Sequence, residues 1–361
     1  MMRRLRYRRA RGLLAAGMTL CAAVLFVLIA WLGSRFPSQR AAERWQGESA
    51  LDFAQVSCFL PVDEPITLRE IQSFREEMAK ALHSAAVDVE YDGQLRLDAW
   101  SGNGKVNASS ELGRGEARVV AVGGDFFQFH PLRLLSGSYI TPSDLMQDRV
   151  LLDEELAWLL FGGTELEGLS LKLNGVPFVV AGVIAREQDA FSARAYTGGM
   201  GLFLSFDAWL TLDEKAGIEC YEFVLAEPVD GFARSLAESK FPIGRGEIVE
   251  NSGRFTPFRL LALLKSFPTR SMQTQGIIYP YWENACRGAE DCCAVLLLLG
   301  SLLLVYPLVF LFLTLRRLLL RVRDYLGEEL FPAAADSIGE AIRVRQRRAW
   351  EKKHGKHERR Y

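Results

Sequence analysis

The residues best placed to do chemistry are Asp153, Glu154 and Glu155, three adjacent carboxylates that could serve general acid–base catalysis. They stand where an apolar helix is predicted to begin, and acids are favoured there by the helix dipole, so a structural role is expected. Gly102-Asn103-Gly104-Lys105 is the nearest approach to a phosphate-cradling loop. It lacks the first glycine and the hydroxyl residue that such a loop needs. No Gly-x-Ser-x-Gly elbow occurs to present a serine nucleophile. The four histidines are His83, His130, His354 and His357, and none has metal-ligand spacing with a cysteine or another histidine in the central part of the chain. His354 and His357 sit in a basic tail, which reads as a solvated charge run. Asn107-Ala108-Ser109 fits a glycosylation acceptor, a three-residue pattern common by chance. The chain is therefore expected not to be an enzyme and to have no catalytic, cofactor-binding or metal-binding residues.

Two stretches that carry no charge dominate the distribution of residues. The 361-residue chain is 49% hydrophobic and 24% charged with a net charge of −1, averages typical of a soluble protein. Yet Leu13–Leu32 and Ala294–Leu315 contain no charged residue. About twenty helical residues cover the roughly 30 Å of a bilayer's hydrocarbon core, so two transmembrane helices are predicted. Pro307 in the second is tolerated in a membrane helix, where neighbours satisfy the freed carbonyl. A retained anchor is preferred over a cleaved signal peptide for the first. Its apolar core is long, and no small-x-small cleavage site follows Trp31.

Orientation follows from the flanks. Arg3, Arg4, Arg6, Arg8, Arg9 and Arg11 precede the first span with no acid among them, a charge of +6. From Thr314 onward, 13 Lys/Arg face 7 Asp/Glu, another +6, which leaves −13 for the part between. Basic flanks stay cytoplasmic. Both termini are thus expected in the cytoplasm of a cell-membrane protein, with one acidic domain outside. The expected division is residues 1–12 cytoplasmic, 13–33 first transmembrane helix, 34–293 extracytoplasmic domain with stalk ends, 294–315 second transmembrane helix and 316–361 cytoplasmic basic tail. Six cysteines do not make a disulfide framework in a domain of this size. A single bridge among Cys58, Cys220 and Cys286 stays open, and buried or free thiols are the preferred reading.

Between the spans, hydrophobic periodicity predicts alternating strands and helices. Leu51–Leu60 reads as a strand. Thr67 with Glu70 forms a capping-box pattern before Ile71, Phe74, Met78 and Leu82, which predicts an amphipathic helix from Thr67 to about Ser84, stapled by Ile66 to Ile71. Val87–Trp100 and Ala117–Val122 read as strands joined by a loop over Gly102–Gly115. Val150–Leu152 leads into a helix ending at Phe161 before Gly162 and Gly163. Leu169–Leu173 and Phe178–Ile184 flank Asn174-Gly175, a strong hairpin signal. A Gly-rich loop is expected over Arg186–Gly201, then a strand at Gly201–Leu204, a helix from Ser205, a strand at Cys220–Leu225, and helices at Gly231–Lys240 and Phe255–Ser266. Glu283 onward is expected to run straight into the second span. The domain is α+β or mixed α/β. In the tail, Ser337 with Glu340 suggests a capped basic helix that lies on a membrane or docks on a protein, with a disordered tail as the alternative.

The stretch from Gly123 to Val183 resembles the extracytoplasmic core domain of MacB-type and FtsX-like ABC transporter permeases. Gly124-Asp125-Phe126-Phe127, His130-Pro131-Leu132 and Leu135-Ser136-Gly137-Ser138-Tyr139-Ile140 look like one element of that family. Val150–Asp153 with Ala157 and Leu160-Phe161-Gly162 is similar to its strand-then-helix segment, and Leu169–Val183 to its hairpin. The resemblance implies an α+β domain of two mixed α/β subdomains flanked by transmembrane helices. It further implies a separate cytosolic ABC ATPase that drives the helices and, through them, the outer domain by mechanotransmission. Such permeases have one helix before the domain and three after it, whereas one follows it here. The expectation is an accessory permease that pairs with a full-length one or a second copy of itself, a reduced subfamily, or a fragment.

Arg316, Arg317, Arg321, Arg323, Arg343 and Arg345 are the candidate contacts with a cytoplasmic partner or with membrane lipids. Nucleic acid is not expected as a partner. The competing reading is a two-span sensor whose outer domain recognises a ligand.

Overall fold

Apolar side chains alternate to both sides of the central strands, so the sheet they form must be covered on both faces. Val119 and Ala121 of β3 (Arg114–Gly124) belong to one core, whereas Val120 and Val122 belong to the other. Leu202 and Leu204 of β8 (Gly201–Ser205) likewise oppose Phe203, the two-residue period of an extended strand. The computed structural model describes residues 2–49, 51–85, 95–141, 144, 146–196, 199–267, 269–325 and 331–354.

The chain forms two compact units, Val27–Leu298 and a helical unit of Met1–Phe26 with Leu299–Tyr361. The first holds a ten-stranded sheet in the order β10-β1-β9-β2-β3-β8-β5-β7-β4, with β6 pairing β2 and β7. The further strands are β1 (Phe53–Phe59), β2 (Arg96–Ser109), β4 (Leu134–Gly137), β5 (Arg149–Asp153), β6 (Ser170–Leu173), β7 (Val176–Ile184), β9 (Cys220–Ala226) and β10 (Glu247–Glu250). Among the described residues, only the β3–β8 and β5–β7 pairings are parallel. The domain is mixed α/β, and its two halves share one sheet.

Helices α3 (Leu68–Ser84), α5 (Glu154–Phe161), α7 (Phe206–Leu212) and α8 (Phe232–Lys240) bury their apolar faces in one core. The other face carries α2 (Ala41–Gln46), α4 (Phe126–Phe129), α6 (Ala190–Ala195) and the first turns of α10 (Tyr281–Tyr325). The short α9 (Pro257–Leu263) follows β10. Helices α1 (Met2–Gly33) and α10, which both run from one unit into the other, are long and apolar enough to cross a membrane. Gly300 leaves room there for Phe26, whose Cε1 lies 2.8 Å from where a Cβ would stand. Small residues permit such close helix approach in a bilayer.

Several expectations meet their reason here. The Thr67–Glu70 capping box forms on both sides, Glu70 N donating to Thr67 Oγ1 and Thr67 N to Glu70 Oε2. Asn174 and Gly175 both take positive φ, as the predicted turn requires. The predicted loop over Gly102–Gly115 is instead a long hairpin of β2 and β3 closed at Ser110–Gly113. Its glycines admit neighbouring rings: a Cβ at Gly104 would stand 2.1 Å from Trp209 Cζ2, and one at Gly123 2.3 Å from the Trp100 indole. The strand expected from Val87 begins at Arg96, and residues 86–94 lie outside the described residues. The expected loop over Arg186–Gly201 contains α6, capped by Asp189 Oδ1, which accepts from Phe191 N and Ser192 N. The tail helix α11 (Phe331–His354) starts before Ser337, which is therefore not its N-cap.

Candidate functional site

Arg254 sits in the loop between β10 and α9, almost fully buried. Its guanidinium donates from Nη1 and Nη2 to Glu283 at 2.7 and 2.9 Å. It donates from Nε and Nη2 to Glu290 at 2.8 and 3.1 Å, and from Nη1 to Gln39 Oε1 at 3.0 Å. Two bidentate carboxylate pairs use the whole fork of the side chain. Burial disfavours the Arg254 charge, but Cys286, Glu283 and Glu290 around it more than offset this and hold its pKa well above the ordinary value.

The partners are placed by helix geometry. Glu283, Arg287 and Glu290 recur at i, i+4 and i+7 and so share one face of α10. Arg287 Nε donates to Glu283 at 2.6 Å, Nη2 to Glu247 at 3.0 Å and Nη1 to the Arg270 carbonyl at 3.1 Å. Arg270 returns to the same helix, bonding Glu290 at 2.8 Å and Asp291 at 3.2 Å. Tyr279 donates to Glu247 and lies with its ring 3.8 Å from the Arg287 guanidinium. Three guanidiniums thus meet four carboxylates where the charge-free stretch of α10 is about to begin.

The network continues to the end of α1. Phe36 stacks on Phe255 at 6.1 Å, beside Arg254, and a Cβ at Gly33 would stand 2.9 Å from the Phe255 ring. Gln55 on β1 accepts from Ala41 N at 2.8 Å and donates to the Ser38 carbonyl at 2.7 Å. Asn251 faces Arg254 and donates to Ser57 at 2.7 Å, Ser57 donates to Glu222 at 2.8 Å, and Glu222 meets His130 Nε2 at 2.6 Å. A continuous polar path therefore runs from the two chain connections of the domain into its sheet.

Such a cluster has a defined physical use. A buried ion pair adds little net stability over an apolar core, but taking away one partner leaves an uncompensated buried charge and costs about 3–5 kcal/mol. These contacts join the segment after α1, the loop after β10 and the start of α10, and Gln55 ties the first of them to β1. Sequence reasoning singled out none of the cluster as site residues, neither Arg254, Arg270 and Gln39 nor Glu283, Arg287 and Glu290. The signal on α10 was legible, since charged residues at helical spacing precede an apolar span.

The six arginines singled out from sequence fall on two helices rather than in one place. Arg316, Arg317, Arg321 and Arg323 occupy the last turns of α10, and Arg343 and Arg345 lie on α11, all exposed. Arg323 pairs with Asp324 at 2.9 Å. Asp153 is the N-cap of α5: Oδ1 accepts from Leu156 N at 2.8 Å and Oδ2 from Gly201 N at 2.6 Å, and Glu155 pairs with Arg186. Both carboxylates serve structure. All six cysteines are free. Gly102–Lys105 lies inside β2, an extended strand with no phosphate-cradling loop. Among the described residues, no group of three or more His, Cys, Asp or Glu is arranged to hold a metal.

Residues 14–230 match the family described as MacB-like periplasmic core domain. No curated protein matches the chain. Solved structures similar to it include the extracellular domain of the ABC-type transporter YknZ from Gram-positive bacteria, at 15% identity and a TM-score of 0.37. The alignment covers 55% of this chain and 100% of that one. The periplasmic region of MacB from Actinobacillus actinomycetemcomitans is 14% identical, covering 61% and 94% respectively, with a TM-score of 0.39. A domain of a permease protein from Porphyromonas gingivalis is 12% identical, covering 55% and 86%, with a TM-score of 0.31.

Proposed function

Since this chain belongs to the family of the MacB-like periplasmic core domain, a permease component of ABC-type transporters, we propose that it couples a separate cytosolic ATPase to its extracytoplasmic domain. In this reading residues 13–33 and 294–315 cross the cell membrane, residues 34–293 lie outside, and both basic ends, 1–12 and 316–361, lie in the cytoplasm. The observation that carries it is the Arg254 cluster. It clamps the start of α10 and the segment after α1 to one point of the sheet, so displacement of either helix is transmitted to the domain instead of being absorbed by a flexible linker. The cytoplasmic turns of α10 with Arg316, Arg317, Arg321 and Arg323, and α11 with Arg343 and Arg345, would meet the ATPase, a full-length permease, a second copy of this chain or anionic lipid. No catalytic role falls to the chain itself in this reading; hydrolysis belongs to the partner.

The test is recovery of the tagged chain from native membranes after crosslinking and mild detergent extraction. A P-loop ATPase should co-purify, and Arg316→Glu with Arg317→Glu and Arg321→Glu should weaken its recovery. Recovery of neither an ATPase nor a permease would overturn the proposal and leave a two-span sensor in its place.

A further inference from the structure

Two hollows of the domain adjoin, each lined mostly by apolar surface; the first carries Lys105 and Arg118 and the second Arg194 and Asp291. The first, of about 630 Å³, is lined on one wall by Asn103, Lys105, Arg118 and Val120 and on another by Tyr281, Trp282 and Asn284. The second, of about 460 Å³, is lined by Phe191, Phe267, Met272, Gly288, Val295 and Leu296, among others, and reaches the charge-free part of α10. Ala195, Met272 and Asn284 line both. Each volume falls within the range of about 300–1,000 Å³ usual for small-molecule sites.

The first hollow carries two cations, Lys105 and Arg118. Lys105 and Arg118 are direct cross-strand partners of β2 and β3, so their side chains stand together on one face. Like charges directly opposite in a sheet destabilise it, and an anion between them would remove that cost. Lys105 also meets the exposed Glu116 at 2.8 Å. Arg118 forms no ion pair among the described residues, and its half-buried guanidinium stays charged at any physiological pH. Its guanidinium carbon lies 5.8 Å from the centre of the Tyr196 ring, and its Nε is closed off from solvent, so only the outer guanidinium nitrogens can serve a ligand. Glu219 is the one acid in this lining, held by Asn103 Nδ2 at 2.8 Å. Between the hollows, Met272 takes a positive φ of 61° and is pinned by its N–H to Asn284 Oδ1 at 2.8 Å. An unbranched thioether there adapts to an apolar chain passing beside it.

We propose that the paired hollows bind a membrane amphiphile with an anionic head group, its head held by Arg118 and Lys105 and its acyl chain lying along Phe267, Met272 and Val295. The membrane is the source, because the apolar hollow ends on the residues with which the second span begins. The inference rests on the proposed position of that span. It goes beyond energy coupling in assigning the outer domain a ligand class and a route by which the ligand arrives from the bilayer.

The full-length protein is placed in phosphatidylcholine nanodiscs containing a small fraction of phosphatidylglycerol with a diazirine-bearing acyl chain. Phosphatidylcholine with the same chain is the zwitterionic control, and crosslinked peptides are mapped by mass spectrometry. Phosphatidylglycerol should label the segments around Phe267–Met272 and Gly288–Leu296 more than the control does. Loss of one charge-assisted contact in Arg118→Met should reduce that labelling about tenfold, whereas Arg118→Lys retains most of it. Gly288→Leu, where a Cβ would stand 3.5 Å from Phe191, in ordinary contact, should block the apolar hollow and reduce labelling by both lipids. Equal labelling by both lipids, unchanged in a folded Arg118→Met protein, would overturn the proposal. So would labelling of Leu302–Phe312 without the hollows, which leaves the membrane span standing. Labelling of neither overturns both.

Discussion

Replacing Arg254 by methionine removes the cation that contacts both Glu283 and Glu290 while keeping much of the side chain's apolar volume. Four carboxylates would then face Arg270 and Arg287 alone, with Glu283 and Glu290 at 0% and 3% exposure. Removing one partner of a buried ion pair costs about 3–5 kcal/mol, because the remaining charge keeps its desolvation penalty without its attraction. Each kcal/mol lowers the melting temperature of a domain of this size by roughly 2–4 °C, so the expected fall is on the order of 10 °C. The measurement is thermal unfolding of the full-length chain in one detergent, followed by near-ultraviolet circular dichroism at a fixed heating rate. Arg245→Met serves as the control. Its guanidinium pairs with Asp63 and Glu64 on the exposed surface, where solvent screens the charges, and its loss should leave melting nearly unchanged. Adding Glu290→Gln to Arg254→Met should recover part of the loss by removing an unpaired charge. Melting of Arg254→Met within roughly 2 °C of the parent, the scale of a surface change, would refute the claim that this cluster locks the chain connections.

Other outcomes follow from the same structure. Thr67→Ala removes the side-chain acceptor for Glu70 N and should destabilise the domain by about 1 kcal/mol in the same melting assay. Gly104→Ala drives a methyl group into Trp209 and should cost about 1–3 kcal/mol, with a change in tryptophan fluorescence; a loop at this position would tolerate it. Burial raises the pKa of Glu219 above its unfolded value, so its contribution favours the fold at low pH and is lost as pH rises through the folded pKa. Glu219→Gln should therefore stabilise the protein near pH 7, and the difference from the parent should vanish on acidification toward the ordinary carboxylate range. It should also strengthen labelling by the anionic lipid.

The linear chain determined whatever depends on neighbours a few residues apart. Charge-free runs of spanning length, arginines beside them, the Thr67–Glu70 cap and the Asn174-Gly175 turn are local patterns, and the structure forms helices, a cap and a turn at those positions. The motifs between Gly123 and Val183 pointed to the family that the match over residues 14–230 shows. Local pattern misled where a distant side chain decided the conformation. The glycines of β2 read as loop residues, but rings from other elements, Trp209 among them, lie against the strand and require residues without side chains there. The Arg254 cluster shows the same division in energetic terms. The sequence placed Glu283 on a helix running into the second span, but whether the face it shares with Arg287 and Glu290 met water or was buried depended on Arg254, Arg270 and Gln39. Gln39 lies more than two hundred positions away. Desolvating those carboxylates is tolerable only when every partner arrives together. Only folding brings them together, so the buried cluster belongs to the tertiary structure alone.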